Sequence, residues 1–275
     1  METKHQPIAK DPYVLATGEA ASIRLRLLDQ IFGPATRSLL NSLGLRAGLR
    51  VAEIGCGSGL VALWLAEQVG ASGSVSAVDI SADQLRVAER NAASLQVANL
   101  TFHEASAYGT GLPMNAFDLV YSRFLFCHLT DPLKALQEMR ALLKPGGLLV
   151  CEDYDDAGIT TDPPTRAYRR LVEISRAVHA MHGQDSEIGL KLHRLFREAG
   201  FASPEVSLQQ SAVLRGETKR FWELTLREAA PAIVVTGAST AAELDSICEE
   251  MWEIANDETT LIVLARVSQV WAPKT

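Results

Sequence analysis

Short apolar runs alternate with longer amphipathic stretches through the first part of the chain. The apolar runs 50–54, 75–79 and 100–104 predict strands. The stretches 60–68 and 81–95 have apolar positions at helical spacing and predict the helices between those strands. Strands that alternate with helices in this way predict a parallel sheet with right-handed crossovers.

The same alternation continues on both sides of this region. Helical patterns at 19–28 and 34–43 precede the first strand, and the runs 117–123 and 148–150 predict two more strands around a helix at 132–143. Ligands of such sheets bind at the carboxyl ends of the strands. We therefore expect the functional residues at that edge.

The second half of the chain adds helices to this pattern. It predicts helices at 164–181 and 187–199, strands at 204–213 and 260–270, and helical periodicity over 216–257. This last segment carries the large apolar residues Phe221, Trp222, Met251 and Trp252. For the two tryptophans, packing of helices on the sheet is favoured over substrate contact.

Three glycines at alternate positions follow the first predicted strand. The segment Val51-Ala52-Glu53-Ile54-Gly55-Cys56-Gly57-Ser58-Gly59 leads into a helix, and the next strand ends in Asp79. Glycine allows the backbone to turn tightly and approach a ligand, and an acid at the tip of the second strand can accept the hydroxyl protons of a ribose. This pattern predicts an adenosine-type cofactor. It differs from a dinucleotide fingerprint, because Leu60 stands at the third glycine, and it lacks the Gly-Lys-Ser/Thr end of a P-loop.

The pattern ExGxGxG resembles the first motif of the class I S-adenosylmethionine-dependent methyltransferases. The strand 117–123 and the turn Lys144-Pro145-Gly146-Gly147 resemble later segments of the same family, in the same order. The resemblance covers residues 13–155 well and continues more loosely to the end of the chain. It implies a doubly wound, mostly parallel seven-stranded α/β sheet with helical cap insertions, and S-adenosyl-L-methionine as the cofactor.

The resemblance also implies which residues hold this cofactor. The acidic Glu53 suits a cationic ligand, Asp79 would hold the ribose hydroxyls, and Ser106-Ala107 stand where the family often has an acid followed by Ala. The serine departs from that pattern, and its hydroxyl can still bond to adenine. The full set of expected cofactor-binding residues is Tyr13, Glu53, Gly55, Cys56, Gly57, Gly59, Asp79, Ile80, Gln84, Ser106, Ala107, Ser122 and Arg123.

Candidates for catalysis lie after the fourth and fifth strands and in the first added helix. Glu152 and Asp153 lead, with Tyr154 next, although an acidic run can also solvate a loop or cap a helix. His128 and His179 could act as bases, and a structural role is an open alternative for His128. His179 and His182 share a helix face, but no acid with ligand spacing completes a metal site, so no metal is expected.

Composition limits the classes of partner and the cellular location that we expect. The 275 residues carry a formal net charge of −7 and no block of Lys or Arg, so a nucleic-acid partner is not expected. No apolar span has membrane length and no secretory segment opens the chain, which predicts a cytoplasmic protein without a membrane partner. The four cysteines are dispersed and are expected to be reduced. Monomer and homodimer both stay open.

These observations predict a three-part organisation. Residues 1–45 form helices that cover the site, 46–155 the cofactor-binding core, and 156–275 the remaining strands with cap insertions at about 156–185 and 216–257. The predicted function is methyl transfer from S-adenosylmethionine to a small organic acceptor, with a specialised metabolite favoured. Two alternatives stay open: a cofactor-binding protein that does not methylate, such as a cyclisation catalyst or regulator, and a quinone- or sterol-type C-methyltransferase.

Overall fold

A computed structural model describes residues 11–275, and over that range one mixed sheet forms the centre of the protein. Its strands are β1 (Arg50–Ile54), β2 (Ser74–Asp79), β3 (Leu100–Glu104), β4 (Phe117–Arg123), β5 (Leu143–Asp155), β6 (Thr160–Asp162), β7 (Glu205–Val213) and β8 (Leu261–Pro273). The predicted strands are all present, with shifts at their ends.

The strand order confirms the predicted doubly wound α/β sheet. The sequence order along the sheet is β3-β2-β1-β4-β5-β8, and β1 to β5 pair in parallel. β8 is antiparallel to β5 on one side and to β7 on the other, so β7 runs in the direction of β5. The prediction missed β6, a strand of three residues that pairs with β8, because so short a segment shows no periodicity.

Eight α-helices surround the sheet over residues 11–275: α1 (Ser22–Ser42), α2 (Leu60–Val69), α3 (Ala82–Ser94), α4 (Pro132–Leu142), α5 (Arg166–Met181), α6 (Leu192–Glu198), α7 (Phe221–Thr236) and α8 (Ala241–Asn256). Ser81 caps α3 through its hydroxyl, which accepts from the Gln84 backbone N–H at 3.3 Å, as predicted.

The two predicted amino-terminal helices are one continuous helix, which corrects that expectation. Pro34 lies inside α1 and removes one backbone donor, a change that usually ends or kinks a helix. Here the buried side chains of Leu27, Phe32 and Leu40 lie on both sides of the proline and pack into the protein. Tertiary burial thus overrides the local signal.

The cap has a hydrophobic core of its own, separate from the two that cover the faces of the sheet. It joins Leu27 and Phe32 of α1 to buried residues of α5, α7, α8 and β8. Helices α1 and α7 therefore meet over the carboxyl end of the sheet. The domain limits at 45 and 155 stay predictions, and the first ten residues of the amino-terminal part lie outside the described residues. None of the helices within 11–275 combines the length and apolarity needed to cross a membrane.

Candidate active site

A cavity of about 530 Å³ lies where α1 and α7 close over the carboxyl ends of β1, β2, β4 and β5. Its volume falls within the roughly 300–1,000 Å³ typical of small-molecule sites. One part is lined by the glycine turn, Asp79 and Ser106-Ala107, and the other by apolar and aromatic side chains from α1, β5 and α7. The cavity therefore joins a polar half to an aromatic half.

The three glycines of the turn all have a positive φ, but for different reasons. A Cβ on Gly55 would lie 3.1 Å from Leu125, and one on Gly59 would lie 2.9 Å from Ala88 of α3, so both positions permit close packing. A Cβ on Gly57 would meet no heavy atom of the described residues within 4 Å. Because Gly57 lines the cavity, its missing side chain leaves space for a ligand.

Asp79 holds the turn together at the tip of β2. One carboxylate oxygen accepts from the Gly57 backbone N–H at 2.8 Å, and the other accepts from the Ser81 N–H at 2.9 Å. The side chain also lines the cavity. A carboxylate has further lone pairs, so these bonds orient Asp79 and leave it able to accept from ligand hydroxyls.

Glu53 presents a buried carboxylate to the cavity. It is only 3% exposed, and its Oε2 atom has no hydrogen-bond partner among residues 11–275. Burial raises the pKa of Glu53 to about 8, although Arg123 lowers it and the charges of Asp79 and Asp29 raise it further. A cation bound beside Glu53 would supply the missing partner.

Arg24 of α1 presents the opposite charge to the same cavity. Its guanidinium is 3% exposed, and its Nε donates to Glu228 Oε2 of α7 at 2.7 Å. Its Nη2 has no partner in the part of the chain that the structure describes. The sequence analysis did not select Arg24. Its position could have indicated a role, because Arg24 lies four residues before Leu28 and eight before Phe32, so a charged residue shares the apolar face of the helix.

Glu152 belongs to a buried network that attaches α1 to the sheet. Its Oε2 accepts from the Thr36 hydroxyl at 2.8 Å, and Arg123 donates to Thr36 at 3.1 Å and to Asp29 at 3.0 Å. The Arg123 side chain lines the cavity, whereas Glu152 does not. These contacts attach α1 to the sheet, and the catalytic role of Glu152 stays a prediction.

Asp153 lies on the opposite face of β5 and caps the turn at 126–128. Its carboxylate accepts from the backbone N–H groups of Phe126 at 2.7 Å, Cys127 at 3.3 Å and Tyr154 at 2.9 Å. The side chain is fully buried outside the cavity wall, and burial raises its pKa to about 7. Its contacts orient the backbone that carries His128.

The aromatic half of the cavity is formed by rings from α1, β5, α7 and the loop after β4. Phe32 and Phe124 pack edge to face with centroids 5.0 Å apart, and Phe124 meets Tyr154 in the same way at 5.7 Å. Phe221 and Trp222 of α7 close the opposite wall, with centroids 4.9 Å apart. Rings in this arrangement form an apolar pocket suited to a flat or hydrophobic molecule.

The histidines after β4 and in α5 meet at one corner of the cavity. His128 lines the cavity and stacks on His179, with ring centroids 6.1 Å apart, while Tyr13 packs edge to face on His128 at 4.8 Å. Burial lowers the pKa of His128 to about 3, helped by the nearby His179 and Arg24. His128 is therefore neutral at pH 7.

The structure brings most of the predicted cofactor residues into one wall. Twelve predicted residues line the cavity: Tyr13, Glu53, Gly55, Cys56, Gly57, Asp79, Ile80, Gln84, Ser106, Ala107, Arg123 and His128. Five lie outside the wall: Gly59, Ser122, Glu152, Asp153 and His179. Their roles in binding and catalysis stay predictions.

Within residues 11–275, no group of three or more His, Cys, Asp or Glu side chains is placed to hold a metal ion. The four cysteines are unpaired and buried.

Comparison with known proteins identifies a methyltransferase domain in the chain. Residues 52–151 match the family described as "Methyltransferase domain". Over 117 residues the chain is 33% identical to a demethylmenaquinone methyltransferase of Staphylococcus aureus, which covers 42% of this chain. The match spans 47% of the relative, so this chain covers about half of the relative's length.

Solved structures show the same fold. The YcgJ protein from Bacillus subtilis is 19% identical with a TM-score of 0.58, covering 86% of this chain and 96% of its own. A phosphoethanolamine N-methyltransferase 2 from Haemonchus contortus, solved with S-adenosylmethionine, is 21% identical with a TM-score of 0.53, covering 92% of this chain and 53% of its own. Residues 52–151 therefore match a methyltransferase domain, and the fold is shared with S-adenosylmethionine-dependent methyltransferases, which supports S-adenosylmethionine as the cofactor.

Proposed function

We propose that this protein transfers a methyl group from S-adenosylmethionine to a small organic acceptor held in the aromatic half of the cavity, with a specialised metabolite as the favoured acceptor. The observation that carries the proposal is the continuity of the two halves. The glycine turn and the ring-lined pocket open into one cavity under α1 and α7. A cofactor and an acceptor can therefore meet without crossing solvent.

The residues of the polar half fit the cofactor group by group. Asp79 would accept from the ribose hydroxyls, Ser106 and Ala107 would contact the adenine edge, and Gly57 leaves room for the ligand against the backbone. The amino-acid end of the cofactor carries one ammonium and one carboxylate. The free carboxylate oxygen of Glu53 suits the first, and the free Nη2 of Arg24 suits the second.

S-adenosylmethionine supplies an electrophilic methyl group when it is bound. The chain's own residues align the acceptor with that group and keep water away from it, and alignment alone can supply much of the acceleration. Phe32, Phe124 and Phe221 give the acceptor apolar walls, which exclude water and favour a hydrophobic molecule.

The proposal is tested by measuring methyl transfer to small molecules from a cell extract. The full chain is incubated with S-adenosylmethionine and the small-molecule fraction of a cell extract, S-adenosylhomocysteine is measured, and the methylated product is identified by mass. Formation of S-adenosylhomocysteine only when the fraction is present supports methyl transfer. Tight cofactor binding without S-adenosylhomocysteine from any fraction would replace this function with that of a non-methylating protein.

A second candidate is methylation of a quinone-type ring at carbon. The similarity to a demethylmenaquinone methyltransferase and the aromatic walls both favour a flat ring as acceptor. Nuclear magnetic resonance of the product distinguishes the two outcomes, because a methyl on ring carbon and one on oxygen resonate at well separated positions.

A further inference from the structure

Tyr154 connects the aromatic half of the cavity to a buried histidine. Its side chain lines the cavity, and its hydroxyl lies 3.4 Å from Nε2 of His179 in α5. His179 itself is 8% exposed and lies behind this wall. The functions proposed above for the glycine turn and the cofactor residues do not use this contact.

The surroundings of His179 determine which nitrogen carries the proton. Nδ1 lies 2.7 Å from the backbone carbonyl oxygen of Ser175, and a carbonyl can only accept a hydrogen bond. In the neutral ring the proton is therefore on Nδ1, and Nε2 keeps a lone pair. The Tyr154 hydroxyl is then the donor to Nε2.

Polar and charged groups around His179 act on its pKa in both directions. The Ser175 hydroxyl lies 3.4 Å from Nδ1 and also bonds Asp156, which is 1% exposed. Asp185 raises the pKa of His179, whereas burial, the largest effect, and His182 lower it. His128 stacks on the ring from the turn after β4. The net pKa of His179 is lowered, so the ring is neutral and able to accept a proton at pH 7.

We propose that Tyr154 and His179 form a proton-accepting pair for a phenolic hydroxyl on the acceptor. As the acceptor oxygen bonds to the methyl carbon, the carbon–sulfur bond breaks and its electron pair stays on sulfur. The hydroxyl proton passes to the Tyr154 oxygen, and the tyrosine's own proton passes to His179 Nε2. The positive charge leaves the sulfonium and arrives on the imidazolium, which later releases its proton to solvent.

This pair deepens the proposed function and rests on it. Loss of a phenolic proton activates the oxygen directly and the neighbouring ring carbons through the phenolate, so the pair favours a phenolic acceptor, and the spectrum of the product shows whether oxygen or carbon receives the methyl group. Aromatic walls beside Tyr154 favour a phenol over an aliphatic alcohol.

The test uses the full chain saturated with S-adenosylhomocysteine, with 4-nitrophenol as the probe because its phenolate absorbs visible light. Titration of the bound probe should show a midpoint about one pH unit lower in the wild type than in Tyr154→Phe or His179→Gln. Tyr168→Phe, a buried tyrosine of α5 outside the cavity wall, serves as the matched control and should titrate like the wild type.

The proposed role of the pair would be refuted if 4-nitrophenol failed to bind, or if the wild type and the three variants had the same titration midpoint. Nitrogen-15 spectra of the histidines need no variant: protonated Nδ1 and unprotonated Nε2 on His179 support it, and the reverse tautomer overturns it. The turnover test separates the two proposals. A shifted midpoint without S-adenosylhomocysteine formation retains the pair and removes methyl transfer, whereas turnover without a shift does the opposite.

Discussion

Replacing Arg24 by glutamine tests whether the free guanidinium nitrogen holds the carboxylate of the cofactor. Arg24 lines the cavity and is 3% exposed, and its buried Nη2 has no hydrogen-bond partner among the described residues. A hydrogen bond between charged groups contributes about 1.5–3 kcal/mol. Losing it should raise the dissociation constant for S-adenosylhomocysteine by roughly 12- to 150-fold.

The assay compares two ligands that differ only at the amino-acid end. Calorimetry with S-adenosylhomocysteine should show the full loss in Arg24→Gln, whereas 5′-methylthioadenosine, which lacks the carboxylate, should bind both proteins equally. Arg26→Gln is the matched control, because Arg26 lies on the same helix and is exposed. It should leave both affinities unchanged.

The substitution also removes the ion pair with Glu228, whose side chain is 16% exposed. We expect a stability loss on the order of 1–3 kcal/mol, so calorimetry is done on protein shown to be folded. Equal losses for both ligands would mean that Arg24 supports the fold of the site and contacts no carboxylate. Unchanged binding of both would place the cofactor's amino-acid end elsewhere.

Four further outcomes follow from the contacts at the site. Asp79→Ala should weaken cofactor binding by about 1.5–3 kcal/mol, measured by calorimetry on folded protein. Gly57→Val should abolish binding, whereas Gly111→Val, with a similar positive φ and an equally open Cβ position, should cost stability only. Because the pKa of Glu53 is about 8, S-adenosylhomocysteine affinity should rise with pH toward 8, and Glu53→Gln should remove that rise. Glu152→Gln should lower the free energy of unfolding and leave turnover per folded molecule unchanged.

The same raised pKa has a consequence for stability, with a definite sign. The folded pKa of Glu53 exceeds its usual value of 4.5, so the folded state binds more protons than the unfolded state between pH 4.5 and about 8. The Glu53 carboxylate therefore costs stability progressively as pH rises through that window. Glu53→Gln should accordingly stabilise the protein more at pH 8 than at pH 5.

Local signals predicted the cofactor half of the site because its geometry is local. The glycine turn and Asp79 lie on neighbouring strands of one strand–helix–strand unit, and the hydrogen bond from the Gly57 N–H to Asp79 spans 22 residues. The backbone conformation of the turn requires glycine, and the ribose requires an acid at the end of the next strand, so both can be recognised in the sequence.

The acceptor half could not be predicted in the same way, because distant segments build it. The wall of Phe32, Phe221 and Trp222 exists only because α1 packs on α7. The ion pair that joins these two helices, between Arg24 and Glu228, spans 204 residues. Helical periodicity identifies buried faces, but it does not distinguish a face that packs into core from one that lines a cavity. For Trp222 the sequence favoured packing of the helix on the sheet, whereas in the structure Trp222 also lines the cavity.

The end of β5 shows how alternation and tertiary contact together select among neighbouring candidates. Successive side chains of a strand point to opposite faces, which sends Asp153 under the turn at 126–128 and keeps Glu152 and Tyr154 on the side of α1. Glu152 meets Thr36 of the overlying helix, so its carboxylate serves the attachment of α1. Tyr154 lies two residues further along β5, on the same face as Glu152, and lines the cavity beside Phe124. Of the three neighbouring candidates at this strand end, only Tyr154 lines the aromatic half of the cavity, and its hydroxyl lies 3.4 Å from Nε2 of His179.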